Sequence, residues 1–582
     1  MKKIGSVLLC VILTLSLFSF TAFAAPEDDV MHLPEDDGTG YPVTGIGDSY
    51  NGNDGVTKVT VPNNIVRLGG RAFFGCSNLN QIKLHNRIQK IGEQAFAGTA
   101  YYADADNWEN GVLYIGDCLI QANPDAISDT YEIRNGTRLI ADGAFRDCKK
   151  LSAIILPDTV EYVGAGVFTD TAFFNNPNNW ENGALLLDYL LLAVDKEYTG
   201  VFDVPDGIRT IADGAFSRCS EMTDVTTPDS LKHIGCDAFW DCQKLMNVSL
   251  GKSVETLGRG PFRMCTELQT IAVHRGNAYF ATADGILYDK QLTEVIRCPE
   301  KMTEKVVIPH SVRRISAYAF ERCRALAYVE IPNGCVFIGH SAFSECDALK
   351  EVTLPESMEY IDKYAFAYCN SIESVFVPEN VNYLGSYAFT CCMNLKEAEI
   401  GNSVTTIRDN LFASCEKLNK VTLGNNVEDI ADSAFQKTKY ISDMVNYPNG
   451  LLISSGKYLI KIAKGVVNCS IPSGVTLIAD GAFEHLSAEG TICEIHVPSS
   501  VKRLNQDAFD ALPNTVSIYY DGSIAAWDCD YMNVHTTGFQ ALVWAVATLA
   551  CAFLALAFSL WGYNHYKTKQ HRLEETEAED AE

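Results

Sequence analysis

The chain has 582 residues, 47% of them apolar and 10% aromatic, with 46 basic against 73 acidic side chains and a net charge of −27. Such a composition belongs to a folded chain rather than a disordered one, and it lacks the basic footprint that nucleic-acid binding needs. A single compact core does not grow to this length, whereas a repetitive architecture can.

Residues 1–25 read as a secretory signal peptide: Lys2 and Lys3, an apolar run from Ile4 to about Phe20, then Ala22-Phe23-Ala24 as a small-x-small cleavage site. Residues 26–55 form an Asp/Gly-rich segment outside the pattern that follows.

From residue 56 to 511 the chain repeats itself. An aromatic returns at Phe73, Phe96, Phe145, Phe168, Phe216, Phe239, Phe262, Phe320, Phe343, Phe366, Phe389, Phe412, Phe435, Phe483 and Phe509, and nine of the fourteen intervals equal the step from Phe73 to Phe96. A period this strict predicts a solenoid, whose units bury their apolar faces only by stacking on neighbours. One unit runs Cys346-x-x-Leu349-x-x-Val352-x-Leu354-Pro355-x-x-Met358-x-x-Ile361-x-x-x-Ala365-Phe366. The alternation Val352-Thr353-Leu354 predicts a strand, and the proline, which cannot donate to a ladder, predicts its end. Glycines such as Gly92, Gly164, Gly235, Gly258, Gly339 and Gly385 suggest a tight corner. The Ala-Phe pair suggests a short helical or 3₁₀ turn.

Four intervals are lengthened, after Phe96, Phe168, Phe262 and Phe435. Each contains two apolar runs around a turn, as in Val112 to Ile115 and Cys118 to Gln121, which predicts β-hairpins. The first two share Trp-Glu-Asn-Gly at Trp108 and Trp180. Those tryptophans serve either as platforms for a ligand or as pins for the hairpin, and their recurrence in one local frame favours the second reading.

Ten of the 20 cysteines stand three residues after a repeat phenylalanine, at Cys76, Cys148, Cys219, Cys242, Cys265, Cys323, Cys346, Cys369, Cys392 and Cys415. One per coil at fixed phase predicts a ladder of buried thiols rather than a disulfide framework. Thr99, Thr171 and Thr438 take that place where an insert follows. There is no G-x-S-x-G, H-E-x-x-H or P-loop, so no catalytic, cofactor or metal site is expected and the chain is not read as an enzyme.

The repeat resembles the BspA-type, or Treponema-type, leucine-rich repeat of bacterial surface proteins. The resemblance implies an α/β-type leucine-rich repeat solenoid, β-rich with short helical or 3₁₀ turns. It would hold some fifteen repeats of about 23 residues and four hairpin inserts. The stretch Ser517 to Trp527 resembles the terminal segment of such arrays, so residues 512–536 are expected to cap the solenoid. Residues 539–561 are free of charge and long enough to cross a bilayer as a single transmembrane helix, and Lys567, Lys569 and Arg572 would place residues 562–582 in the cytoplasm. The expected localisation is therefore a single-pass membrane protein with an extracellular N-terminal ectodomain.

The middle residue of each V-x-L strand points away from the coil interior. That row is Lys83, Ile155, Thr226, Ser249, Ala272, Glu330, Thr353, Phe376, Glu399 and Thr422. Phe376 is apolar where water would favour a polar residue, and Tyr328 stands beside Glu330. Tyr328, Glu330, Thr353, Phe376 and Glu399 are the candidate ligand-binding residues. The resemblance implies a non-enzymatic adhesin that presents this surface to a protein or glycan outside the cell. The alternative is a membrane-proximal envelope scaffold or sensor partner.

Overall fold

The computed structural model describes residues 30–32, 45–47, 50–466, 468–484 and 494–501, and beyond these 504–505, 508–509, 512, 516–522, 527–528 and 534–536. The chain divides into two compact units, Met1–Lys301 and Met302–Glu582.

In both units each coil lays down two short strands, and successive coils pair in parallel, each strand residue facing its equivalent one repeat on. In the second unit Tyr328, Val329 and Glu330 pair with Glu351, Val352 and Thr353, while Phe337 and Ile338 pair with Tyr360 and Ile361. Proline ends the first strand of the coil. Its missing N–H costs nothing there, and its carbonyl accepts from the amide three residues on, as Pro355 does from Met358 at 2.9 Å and Pro62 from Ile65 at 3.0 Å. The Ala-Phe stretch is a run of i→i+3 turns: Ala95 N donates to Gly92 O and Thr99 N to Phe96 O, both at 3.3 Å.

The interior is the expected pair of ladders. In the second unit, rings Phe320 to Phe435 stack at 4.8, 5.1, 5.3, 5.7 and 6.0 Å between centroids. From Cys346 to Cys415 each ladder cysteine donates its S–H to the phenylalanine carbonyl one coil back, as Cys369 does to Phe343 at 3.1 Å and Cys415 to Phe389 at 3.0 Å. All sixteen cysteines among the described residues are free thiols, and all but Cys391 are buried. Burial pushes Cys369, Cys265 and Cys219 up to about 12, which leaves them protonated and inert.

The ladder also begins one coil earlier than the phenylalanine count indicates. Tyr50, one repeat before Phe73, stacks on it at 5.8 Å and lends its carbonyl to Cys76 at 3.0 Å.

The glycines act differently from expectation. Gly92, Gly164, Gly235, Gly258, Gly339 and Gly385 do not supply a left-handed corner. A Cβ at Gly258 would stand 2.2 Å from the backbone N of Cys236, and one at Gly385 2.4 Å from that of Lys363. They are required because adjacent coils touch backbone to backbone. The left-handed positions flank the phenylalanine instead, two residues before it (Gln94, Asp237, Tyr364, Tyr387) and two after it (Asp147, Arg218, Glu345, Tyr368), all with φ between 49° and 67°.

Two parts of the expected fold class need correction. The solenoid is a β-solenoid rather than an α/β-type one: its repeats contain turns, and the α-helices among the described residues are the four-residue segments Ala100–Ala103, Ala172–Asn175 and Lys439–Ser442, each inside an insert. The membrane helix finds no support either. Among the described residues no helix is long and apolar enough to cross a membrane, and the segment 539–561, like the signal peptide 1–25, lies outside them. The single-pass localisation and the membrane-anchored partner drawn from that helix are therefore set aside.

Candidate functional site

All ten residues of the outward row are exposed. Strand alternation explains why: in Glu351–Thr353 the middle valine is buried between two exposed neighbours, and in Ser374–Val377 buried and exposed residues alternate. The second unit carries the five candidates in two three-stranded sheets, which begin at Glu304–Val307 and at Ser374–Val377. In the first, Val307, Glu330 and Thr353 line one column, and Lys305, Tyr328 and Glu351 line the next. In the second, Phe376, Glu399 and Thr422 form one column, with Ser374, Glu397 and Lys420 beside it. The structure thus joins Glu330 to Thr353 and Phe376 to Glu399, and it sets Tyr328 one column away from Glu330.

Tyr328 is 44% exposed, Phe376 43% and Val307 52%. Val307 is absent from the row read off the sequence, although Val306-Val307-Ile308-Pro309 carries the V-x-I-P signal. The insert before it hides the repeat phase. The flanks of the two sheets are ion pairs between successive coils: Lys396 meets Glu373 at 2.8 Å, Lys305 meets Glu330 at 3.8 Å, and Lys420 meets Glu397. The hydrogen bond from Lys396 holds the Glu373 carboxyl below its ordinary value. These pairs are exposed and stabilise little; what they do is hold long side chains along the sheet beside the apolar residues.

The tryptophans resolve as pins. Trp108 Nε1 donates to the carbonyl of Tyr102 and Trp180 Nε1 to that of Phe174, each at 2.8 Å. Each indole also packs edge-on against the ring of that same residue, at 5.1 and 5.4 Å. Among the described residues no group of three or more His, Cys, Asp or Glu side chains is placed to hold a metal ion.

The chain matches the BspA type leucine rich repeat region (6 copies) over residues 44–172, 198–304, 297–419 and 384–516. It belongs to that family, whose solenoid is of a generally non-catalytic class. No curated protein matches the sequence. Among solved structures it is similar to a leucine rich cell surface protein from Faecalibacterium prausnitzii, with 24% identity over 68% of this chain and 88% of that one and a TM-score of 0.38. It is also similar to a leucine-rich repeat protein from Eubacterium ventriosum, with 19% identity, 74% and 83% coverage and a TM-score of 0.36. A third is the pneumococcal vaccine antigen PcpA, with 16% identity, 86% coverage of each chain and a TM-score of 0.31.

Proposed function

We propose that this protein is a non-enzymatic surface protein that binds a protein or glycan partner through the outward sheet face of its second unit. The observation that carries the reading is the set of exposed apolar side chains, Val307, Tyr328 and Phe376, on strands whose alternation places polar residues at the equivalent positions of neighbouring coils. A solenoid offers such a face to partners because its strands repeat without loops crossing them. Glu330, Thr353 and Glu399 supply hydrogen-bonding and charged groups around the apolar residues.

The test is a screen of the full chain against arrays of glycans and extracellular matrix proteins, run beside the double variant Tyr328→Ala/Phe376→Ala. The expected result is a hit that the variant loses while its circular dichroism stays unchanged. A hit bound equally by both proteins overturns the assignment of this face.

A further inference from the structure

Three of the four inserts are copies of one device, and the third copy departs from the others in its chemistry. In each copy a threonine caps a four-residue helix, Thr99 accepting from Tyr102 N at 3.1 Å, Thr171 from Phe174 N at 3.0 Å and Thr438 from Ile441 N at 3.4 Å. An Asp or Asn five residues on caps a 3₁₀ turn: Asp104 accepts from Asp106 N, Asn176 from Asn178 N and Asp443 from Val445 N, at 3.0, 3.1 and 3.0 Å. An asparagine amide then ties that turn back to the helix, Asn107 to Tyr101 O, Asn179 to Phe173 O and Asn446 to Tyr440 O, at 2.8, 2.8 and 3.0 Å. The aromatic pin follows, Trp108, Trp180 or Tyr447, the last through its hydroxyl to Ile441 O at 2.7 Å.

Because the backbone is held alike in all three, the first two copies show what the fold itself requires at the tip. They place Ala105-Asp106 and Pro177-Asn178 there. The third places Met444 and Val445, 62% and 86% exposed. Nothing in the local structure calls for two adjacent apolar side chains in water. The charge inverts as well. Residues 99–125 carry five carboxylates and no basic side chain, and residues 171–197 carry four carboxylates and one lysine. Residues 438–465 carry four lysines and one aspartate, and exposed Lys437 adjoins them. Lys439 stands 3.6 Å from Asp443, directly before the tip.

We propose that the turn Met444–Asn446 is a docking tip for an anionic lipid surface, with Met444 and Val445 entering the headgroup boundary and Lys437 and Lys439 facing the lipid phosphates. An exposed apolar pair beside lysines is the combination that interfacial binding uses. An acidic protein partner is the weaker fit, because protein interfaces favour arginine and aromatic anchors and are depleted in lysine, and every basic residue here is lysine. This contact needs no membrane-crossing segment, and it is independent of the sheet face.

The experiment places a tryptophan reporter at the tip, Val445→Trp, in the full chain. It is mixed with phosphatidylcholine vesicles containing brominated acyl chains, with or without phosphatidylglycerol. The control is Asp106→Trp, the same position in the first insert. The expected result is quenching of the reporter at 445 that needs phosphatidylglycerol, weakens with salt and falls about fivefold in vesicle affinity for each of Lys437→Glu and Lys439→Glu. The reporter at 106 stays unquenched and Phe376→Ala changes nothing. A reporter at 445 that anionic vesicles leave unquenched overturns the proposal, as does equal quenching at 106. Emission that shifts with polyglutamate but not with vesicles assigns the tip to an acidic protein and overturns it too.

Discussion

The run from Phe320 to Phe435 and the run from Phe73 to Phe262 are built from one repeat, but only the first is unbroken. In the second unit six rings stack in succession and the thiols follow them coil by coil. In the first unit the stack falls into the groups Phe73–Phe96, Phe145–Phe168 and Phe216–Phe239–Phe262. Before three of the four inserts threonine replaces cysteine, at Thr99, Thr171 and Thr438, while Cys265 is kept before the insert that follows Phe262, and at two of the three an edge-on ring closes the stack, Phe173 against Phe168 at 5.7 Å and Tyr440 against Phe435 at 5.4 Å. The threonine does more than fill the space. A cysteine of the unbroken run donates to the coil behind it, whereas Thr171 donates to Phe168 O of its own coil at 2.7 Å and caps the helix that starts the insert. Threonine at this position therefore marks the inserts that open with a capped helix; the insert after Phe262, which has no such helix among its described residues, keeps cysteine.

The comparison breaks most sharply at a central ring. Phe366→Ala removes a fully buried side chain stacked on both faces, and is expected to cost about 3–5 kcal/mol in denaturant unfolding. A loss under about 1 kcal/mol would mean that the rungs do not act together.

Gly385→Ala comes next, because its Cβ would collide with the backbone of the preceding coil. A destabilisation of about 1–3 kcal/mol is expected. A neutral result would show that the coils can separate at that point.

Thr171→Cys then sharpens the distinction between the two runs. It keeps a small buried donor but forfeits the helix cap, with an expected loss of about 1 kcal/mol. The same exchange in reverse, Cys369→Thr, adds no helix to cap and is expected to bring no compensating gain. Stability unchanged in Thr171→Cys would reduce threonine to a space filler.

The smallest effect concerns the ionic group that spans two inserts of the first unit. Lys90 Nζ lies 2.6 Å from Asp213 and 3.1 Å from Asp142, residues far apart in sequence. Burial, stronger than the pull of Lys90, raises Asp213 from 3.8 to about 6. The folded chain therefore binds this proton more tightly than the unfolded one, and the contribution of Asp213 to stability falls as pH rises from about 4 to about 6. Asparagine does not titrate. The advantage of wild type over Asp213→Asn in thermal unfolding should be largest near pH 4 and shrink by pH 7. An advantage that grows over this range contradicts the assignment.

The repeat is legible in the sequence because it is periodic: the phase of Phe, Cys and Pro places the interior, the strand ends and the outward row. What escapes is chemistry without a period. The role of Gly385 lies in a contact with Lys363 in another coil, and the sequence shows only a glycine near a turn. The left-handed positions beside the phenylalanines are filled by residues as different as Gly, Asp, Gln, Glu, Arg, Met and Tyr, so no residue type reveals them. Tyr50 is hidden because it stands in for phenylalanine, although it lies one full repeat before Phe73. Val307 lies behind an insert that obscures its phase. The insert after Phe435 shares caps and pins with the first two, but Tyr447 in place of tryptophan conceals the kinship. The candidate face itself is readable from strand alternation, while its division into two sheets is not.

The shared interior is tested most directly by thiol labelling of the native full chain with iodoacetamide, followed by peptide-resolved mass spectrometry. The account predicts that Cys219, Cys242, Cys265, Cys346, Cys369, Cys392 and Cys415 stay unlabelled until the chain is unfolded, and that Cys391, the partly exposed thiol among the described residues, reacts before them. Rapid labelling of those seven rungs in the folded protein would contradict it.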